Sequence, residues 1–141
     1  MIEIINQTRH RLPRKYLAML SGELFKHWHL SHHQIMEIIF TGPATMRKIN
    51  LQYRHQNQPT DVLSFPIAHD PAINQTSSLL GSIFLCPSVI KQQEGKYRYD
   101  PYLIHGFMHL MGYDHIKASD YKKWQSVEQQ IYRQLKNNFK F

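Results

Sequence analysis

Between positions 105 and 115 the chain reads His105-Gly-Phe-Met-His109-Leu-Met-Gly112-Tyr-Asp114-His115. No other stretch restricts the fold so tightly. Two histidines four apart share one helix face, with Cβ atoms roughly 5–6 Å apart, so both rings can reach one metal ion. Gly112 then offers a position free to enter the left-handed backbone conformation that other residues resist. The pattern predicts a helix over about residues 100–111, a stop at Gly112, and a turn that carries His115 back toward His105 and His109. Three neutral imidazoles with a fourth position left to water make a zinc arrangement suited to catalysis. Copper or nickel also accept imidazole, and the only thiol, Cys86, is remote in sequence.

The spacing matches the extended zincin signature H-E-x-x-H-x-x-G-x-x-H at every ligand and at the glycine. Gly106 stands where those peptidases carry their glutamate base. The ligand set is present without the proteolytic base, which argues against peptide hydrolysis.

The same run resembles the signature of the YbeY family of bacterial single-strand endoribonucleases, H-G-x-L-H-L-x-G-Y-D-H. Met108 replaces the usual leucine, an apolar swap of similar volume. A second block, Asn50-Leu-Gln-Tyr53-Arg54 followed by Pro59-Thr60-Asp61-Val62-Leu63-Ser64-Phe65-Pro66, resembles that family's N-x-x-Y-R…P-T-D-V-L-S-F-P. The resemblance covers essentially the whole chain. It implies one zinc ion on His105, His109 and His115, catalysis by Arg54 together with His105 and His109, and single-stranded RNA as substrate. It further implies a role in 16S rRNA 3′-end maturation and 70S ribosome quality control, with 16S rRNA and the ribosome or ribosomal proteins as partners. The rival reading is a non-catalytic, zinc-containing ribosome assembly factor that binds RNA or ribosomal protein.

Phosphodiester cleavage builds negative charge on phosphoryl oxygens, and a guanidinium meets it with paired hydrogen bonds. Arg54 is the residue the resemblance assigns to that task; a helix-terminal cation is the structural alternative. Asp61 and Asp114 are candidates to orient Arg54 or a ligating imidazole, or else turn residues. Tyr113 and Phe65 read as packing, and Ser64 as a strand residue near the cleft. No general base is evident, so attack by metal-activated water and by the RNA 2′-hydroxyl both stay open. Three features deserve comparison with the family. Ser82 stands in Gly81-Ser82-Ile83 where an aspartate is usual, and residues 116–123 are more basic than acidic. Glu128 fits an acid often found on the last helix.

With 141 residues the chain is long enough for one domain, spanning 1–141, and buries roughly 68–70% of its unfolded surface without a staple. No apolar run approaches the ~20 residues of a membrane span, and the start lacks the features of a signal peptide. One cysteine excludes an intrachain disulfide, so a cytoplasmic setting is expected. A net charge of +7 favours anionic partners. Arg9, His10, Arg11, Arg14 and Lys15 cluster near the start, either as a solvated surface or as phosphate contacts with steep salt dependence. Strands are expected at 2–5, 34–40, 62–65 and 79–86. Helices are expected at 14–29, from Pro43 to near Arg54, at 87–93 and at 100–111. A last helix is expected to be capped by Ser119 or Asp120, with Trp124, Ile131 and Leu135 on its inner stripe. Residues 67–78 read as an exposed loop and the chain beyond Asn137 as a frayed end. The fold class that follows is α+β, a small mixed four-stranded sheet flanked by helices, with strand order unreadable from sequence.

Overall fold

A computed structural model describes residues 1–67, 78–113 and 118–138. Asp114, His115, most of the expected 67–78 loop and the last three residues lie outside the described residues. Along the chain come β1 (Ile2–Asn6), α1 (Arg14–His27), β2 (Ile35–Phe40), α2 (Pro43–Arg54), β3 (Val62–Pro66) and β4 (Leu79–Leu85). α3 (Pro87–Glu94), α4 (Asp100–Leu110) and α5 (Ala118–Asn138) follow. Proline opens α2 and α3, where its missing N–H costs nothing. Gly95, with φ 76°, ends α3. Ser119 and Asp120 are not caps: α5 already starts at Ala118, which puts both inside its first turn.

The sheet order is β1-β2-β4-β3. β1, β2 and β4 are mutually parallel, and β3 runs antiparallel to β4 at one edge. Pro66 is tolerated at the end of β3 because an edge strand does not need every N–H. Where β2 meets β4 the register slips between Ile35 and Met36, which face Leu79 and Gly81. Gly81 sits at φ 152°, and a Cβ there would lie 2.5 Å from the Phe65 carbonyl oxygen and 2.6 Å from Leu110 Cδ2. Only glycine fits this irregularity, and it lets the end of α4 come down onto the sheet.

One sheet face carries the main core. Leu17, Leu20 and Leu24 of α1 meet Met36, Ile38 and Phe40 of β2 and Ile83 and Leu85 of β4. Leu103, Ile104, Phe107 and Met108 of α4 join them, with Trp124, Val127, Ile131 and Leu135 of α5. The predicted stripe of α5 is therefore core-facing, while α1 stops at His27, short of the expected 29, and Trp28 packs edge-on against Phe107. On the opposite face Met46, Leu63 and Cys86 form a smaller cluster flanked by Ile49, Phe65 and Phe84. Here α2 covers the β3–β4 end. Tyr53 of α2 is 60% exposed, with its ring 4.9 Å from that of Phe65. Among the described residues no helix is long and apolar enough to cross a membrane.

Candidate metal and phosphate site

Most of α4 is buried, but Pro101, Tyr102, His105 and His109 form a partly open stripe along it. The stripe follows from spacing: 101, 105 and 109 are successive i, i+4 positions on one face. The Nε2 atoms of His105 and His109 lie 3.2 Å apart. Tetrahedral zinc with bonds of roughly 2.0–2.1 Å separates two ligand nitrogens by roughly 3.3–3.4 Å, so the rings sit close to the spacing one ion requires. The same spacing also suits a shared N–H···N hydrogen bond. Among the described residues, which exclude His115, no group of three His, Cys, Asp or Glu side chains is placed to hold a metal ion.

The turn expected at Gly112 is formed. Gly112 has φ 87°, its N–H donates to the His109 carbonyl at 3.0 Å, and the Tyr113 N–H donates to the Met108 carbonyl at 3.0 Å. This is a Schellman ending, in which two otherwise unpaired carbonyls are satisfied. Tyr113 packs, as expected: its ring meets Trp28, and Lys123 Nζ lies 5.4 Å from its centroid.

Trp124 was legible as a core residue of α5, but its role beside the site was not. Its ring lies 4.9 Å from that of His105 and 5.2 Å from that of His109, centroid to centroid. One indole thus backs both imidazoles and restricts their rotation. α5 reaches this position because it runs opposite to α4. Eight residues after Trp124, Tyr132 donates to Asp100 Oδ2 at 2.7 Å, at the start of α4. Asp100 also pairs with Arg98 Nε at 3.4 Å. Burial, then the bond to Asp100, push the Tyr132 hydroxyl pKa well above its usual range. That phenol therefore stays a donor at any ordinary pH.

Gly106 has a steric role that sequence reading missed. A Cβ there would lie 2.7 Å from Ile83 Cγ2 and 2.9 Å from Ser64 Oγ. The Ser64 hydroxyl donates to the Gly106 carbonyl at 3.1 Å. A side chain at 106 points into the sheet, so a glutamate would face β3 and β4 and could not act as a base in the cleft. Gly106→Ala is expected to destabilise the fold by about 1–3 kcal/mol through overpacking, read as a lower denaturant midpoint with an unchanged m-value. A midpoint equal to wild type would show that α4 is free to lift from the sheet.

A cavity of about 220 Å³ is lined by Arg54, Asp61, Val62, Ser64, Pro66, His105 and His109. The structure thus brings Arg54 into the same concavity as the two histidines, across about fifty residues of sequence. Arg54 is exposed and ends α2, followed by His55 in a left-handed conformation at φ 59°. Asn50 holds this corner: its Nδ2 donates to the Gln58 carbonyl at 2.8 Å, and its main-chain carbonyl accepts from the Gln56 N–H at 3.3 Å. Sequence reading quoted Asn50 as a motif letter without a task. A buried asparagine ahead of a loop is the signal that points to one. Asp61 is committed locally, accepting from the Val62 N–H at 2.6 Å and from the Thr60 hydroxyl at 3.4 Å. Among the described residues it makes no ion pair with Arg54, so the turn role is the one visible.

A second cavity, of about 380 Å³, shares Asp61, Val62 and His105 and continues past Tyr102, Trp124 and Glu128. Burial and the charge of Asp100 raise the Glu128 carboxyl above the ordinary range. Ser82 faces away from this region and donates to Glu37 Oε1 at 2.7 Å. Phe65 is packed between Tyr53 and Phe84, as expected for a core ring.

A four-stranded mixed sheet with a histidine-bearing helix laid across it, and an arginine lining the same cleft, define a small α+β domain with one basic and imidazole-lined concavity. The family model described as Endoribonuclease YbeY matches residues 3–136. The chain belongs to that family. Curated relatives called Endoribonuclease YbeY include one from Buchnera aphidicola, 32% identical over 85% of this chain and 78% of its own length. Another, from Protochlamydia amoebophila, is 32% identical over 86% of this chain and 85% of its own. A third, from Pelagibacter ubique, is 37% identical over 72% and 69%. The solution structure of TM1509 from Thermotoga maritima has the same fold, with a TM-score of 0.60 and 23% identity over 99% of this chain and 94% of that one.

Proposed function

We propose that this protein is a zinc-dependent, single-strand-specific endoribonuclease acting in the cytoplasm in 16S rRNA 3′-end maturation and 70S ribosome quality control. The observation that carries the reading is the convergence of the His105 and His109 Nε2 atoms, 3.2 Å apart, in a cavity that Arg54 also lines, in a member of an endoribonuclease family. His105, His109 and His115 would hold one zinc ion. When bound, zinc supplies a Lewis acid for a phosphoryl oxygen and a route to hydroxide near neutral pH.

The chain's own groups supply the rest. The Arg54 guanidinium binds the scissile phosphate through paired N–H···O bonds and meets the charge that grows on its oxygens. Trp124 holds the imidazoles in their facing orientation. Ser64, by bonding the Gly106 carbonyl, keeps α4 at a constant height above the cleft floor.

A labelled single-stranded RNA spanning a 16S 3′ end should be cut by the zinc-loaded protein. The same segment annealed to its complement should be spared, and a chelator should stop cleavage until zinc is restored. Cleavage indifferent to chelator would overturn the metal-dependent reading. Ribosome association without any cleavage would favour the assembly-factor role instead.

A further inference from the structure

We propose that the β1–α1 loop and the α3–α4 loop together form a second, basic and aromatic contact for single-stranded RNA outside the cleavage cleft. The choice of RNA as occupant rests on the ribonuclease reading; the platform rests on its own observations. Between Glu3 and Glu23 the chain has no acidic residue, while Arg9, Arg11, Arg14 and Lys15 are all exposed there. The loop that carries the first two is built, not slack. Asn6 Oδ1 accepts from the Thr8 N–H at 2.9 Å and from the Thr8 hydroxyl at 2.6 Å. Asn6 Nδ2 donates to the His10 carbonyl at 2.9 Å, and the His10 N–H donates to the Thr8 hydroxyl at 3.1 Å.

This scaffold sets His10 against Tyr97, ring centroids 5.0 Å apart, joining two segments nearly ninety residues apart in sequence. Lys91 Nζ lies 4.9 Å from the centre of the same Tyr97 ring, and Lys96 beside it is exposed. Arg98 is already paired with Asp100 and contributes less. Tyr97 leans on Tyr99 at 6.5 Å and is 45% exposed. A large aromatic ring left open among cations suits a polymer with alternating anionic groups and stacking faces. Phosphates meet the cations, and a base meets the ring.

The placement relative to the cleft is also suitable. Tyr99 immediately precedes α4, and His105 lies roughly 7.5 Å along the helix axis from Asp100. The cavity of about 380 Å³ beside His105 is lined by Glu94 and Glu128 as well as Asp61, an acidic lining less suited to phosphate than the platform.

The test is fluorescence anisotropy with a labelled 2′-O-methyl single strand of about twelve nucleotides, a length within the range such surfaces cover, its integrity checked on a gel. The zinc-loaded Arg9→Gln/Arg11→Gln protein should bind about tenfold more weakly at low salt. Its slope of log affinity against log salt should be shallower by about 1.4, the value for two lost phosphate contacts on a single strand. Tyr97→Ala should weaken binding about fivefold or more with the slope unchanged. These side chains are exposed, so folding is not at stake. Wild-type affinity and slope in the double variant, or no binding by the wild type, would overturn the proposal. Tight binding by a wild type that cuts no RNA would remove the ribonuclease reading and leave the platform standing. Cleavage of a tetranucleotide by the wild type, with variants that still bind the long strand normally, would do the reverse.

Discussion

Replacing His109 with alanine is expected to lower bound zinc from about one ion per chain to a small fraction of that, and to abolish RNA cleavage. Three imidazoles are the fewest ligands found in catalytic zinc sites. Without His109 at most two remain, and a two-histidine site on one helix and one turn loses most of its affinity at neutral pH. The readouts are metal content after gel filtration and cleavage of the 16S 3′-end RNA by identically prepared proteins. His109 is only half-buried, so the variant should keep its circular dichroism spectrum. Full zinc occupancy in that protein would refute the ligand assignment, because the metal would then have to bind elsewhere.

Arg54→Ala should behave oppositely with respect to metal. Arg54 lies at the end of α2, on the other wall of the cavity from α4, so zinc content should match wild type. Cleavage should fall by about 10²–10³-fold, the usual cost of removing one preorganised group that stabilises developing negative charge. Arg54→Lys should recover only part of this, since an ammonium cannot form the paired contact. A kcat/KM equal to wild type in Arg54→Ala would leave the arginine as a helix-terminal cation and no more. Measured together, the two variants separate a defect in holding metal from a defect in holding phosphate.

The two predictions draw on different levels of information. The pair His105 and His109 and the stop at Gly112 were readable in one line of sequence, because helical spacing and left-handed glycine are local properties. The observed left-handed Gly112 and its Schellman hydrogen bonds match the predicted stop. Most element limits were equally local: proline opens α2 and α3, Gly95 closes α3, and apolar stripes mark the buried faces of α1 and α5. The start of α5 was misjudged because Ser119 and Asp120 favour a cap but are also acceptable within a first turn.

What spacing could not express was anything requiring two distant segments to meet. The order β1-β2-β4-β3, with β4 inserted beside β2 and β3 pushed to the edge, is decided by which faces bury together, and no single strand encodes that. Gly106 looked like a missing base; only the approach of α4 to Ile83 and Ser64 reveals it as the residue that lets the helix sit down. Trp124 becomes the backing of two imidazoles because Tyr132 and Asp100 align α5 against α4. Arg54 lines the cavity of the histidines from a corner that Asn50 braces. The sequence by itself determined the histidine-bearing helix, its stop and the family resemblance, since those depend on neighbours along the chain. The tertiary structure decided the cleft, the packing of its walls and the pairing of His10 with Tyr97. Those depend on contacts across the fold, set by side-chain volume and hydrogen-bond geometry rather than by spacing.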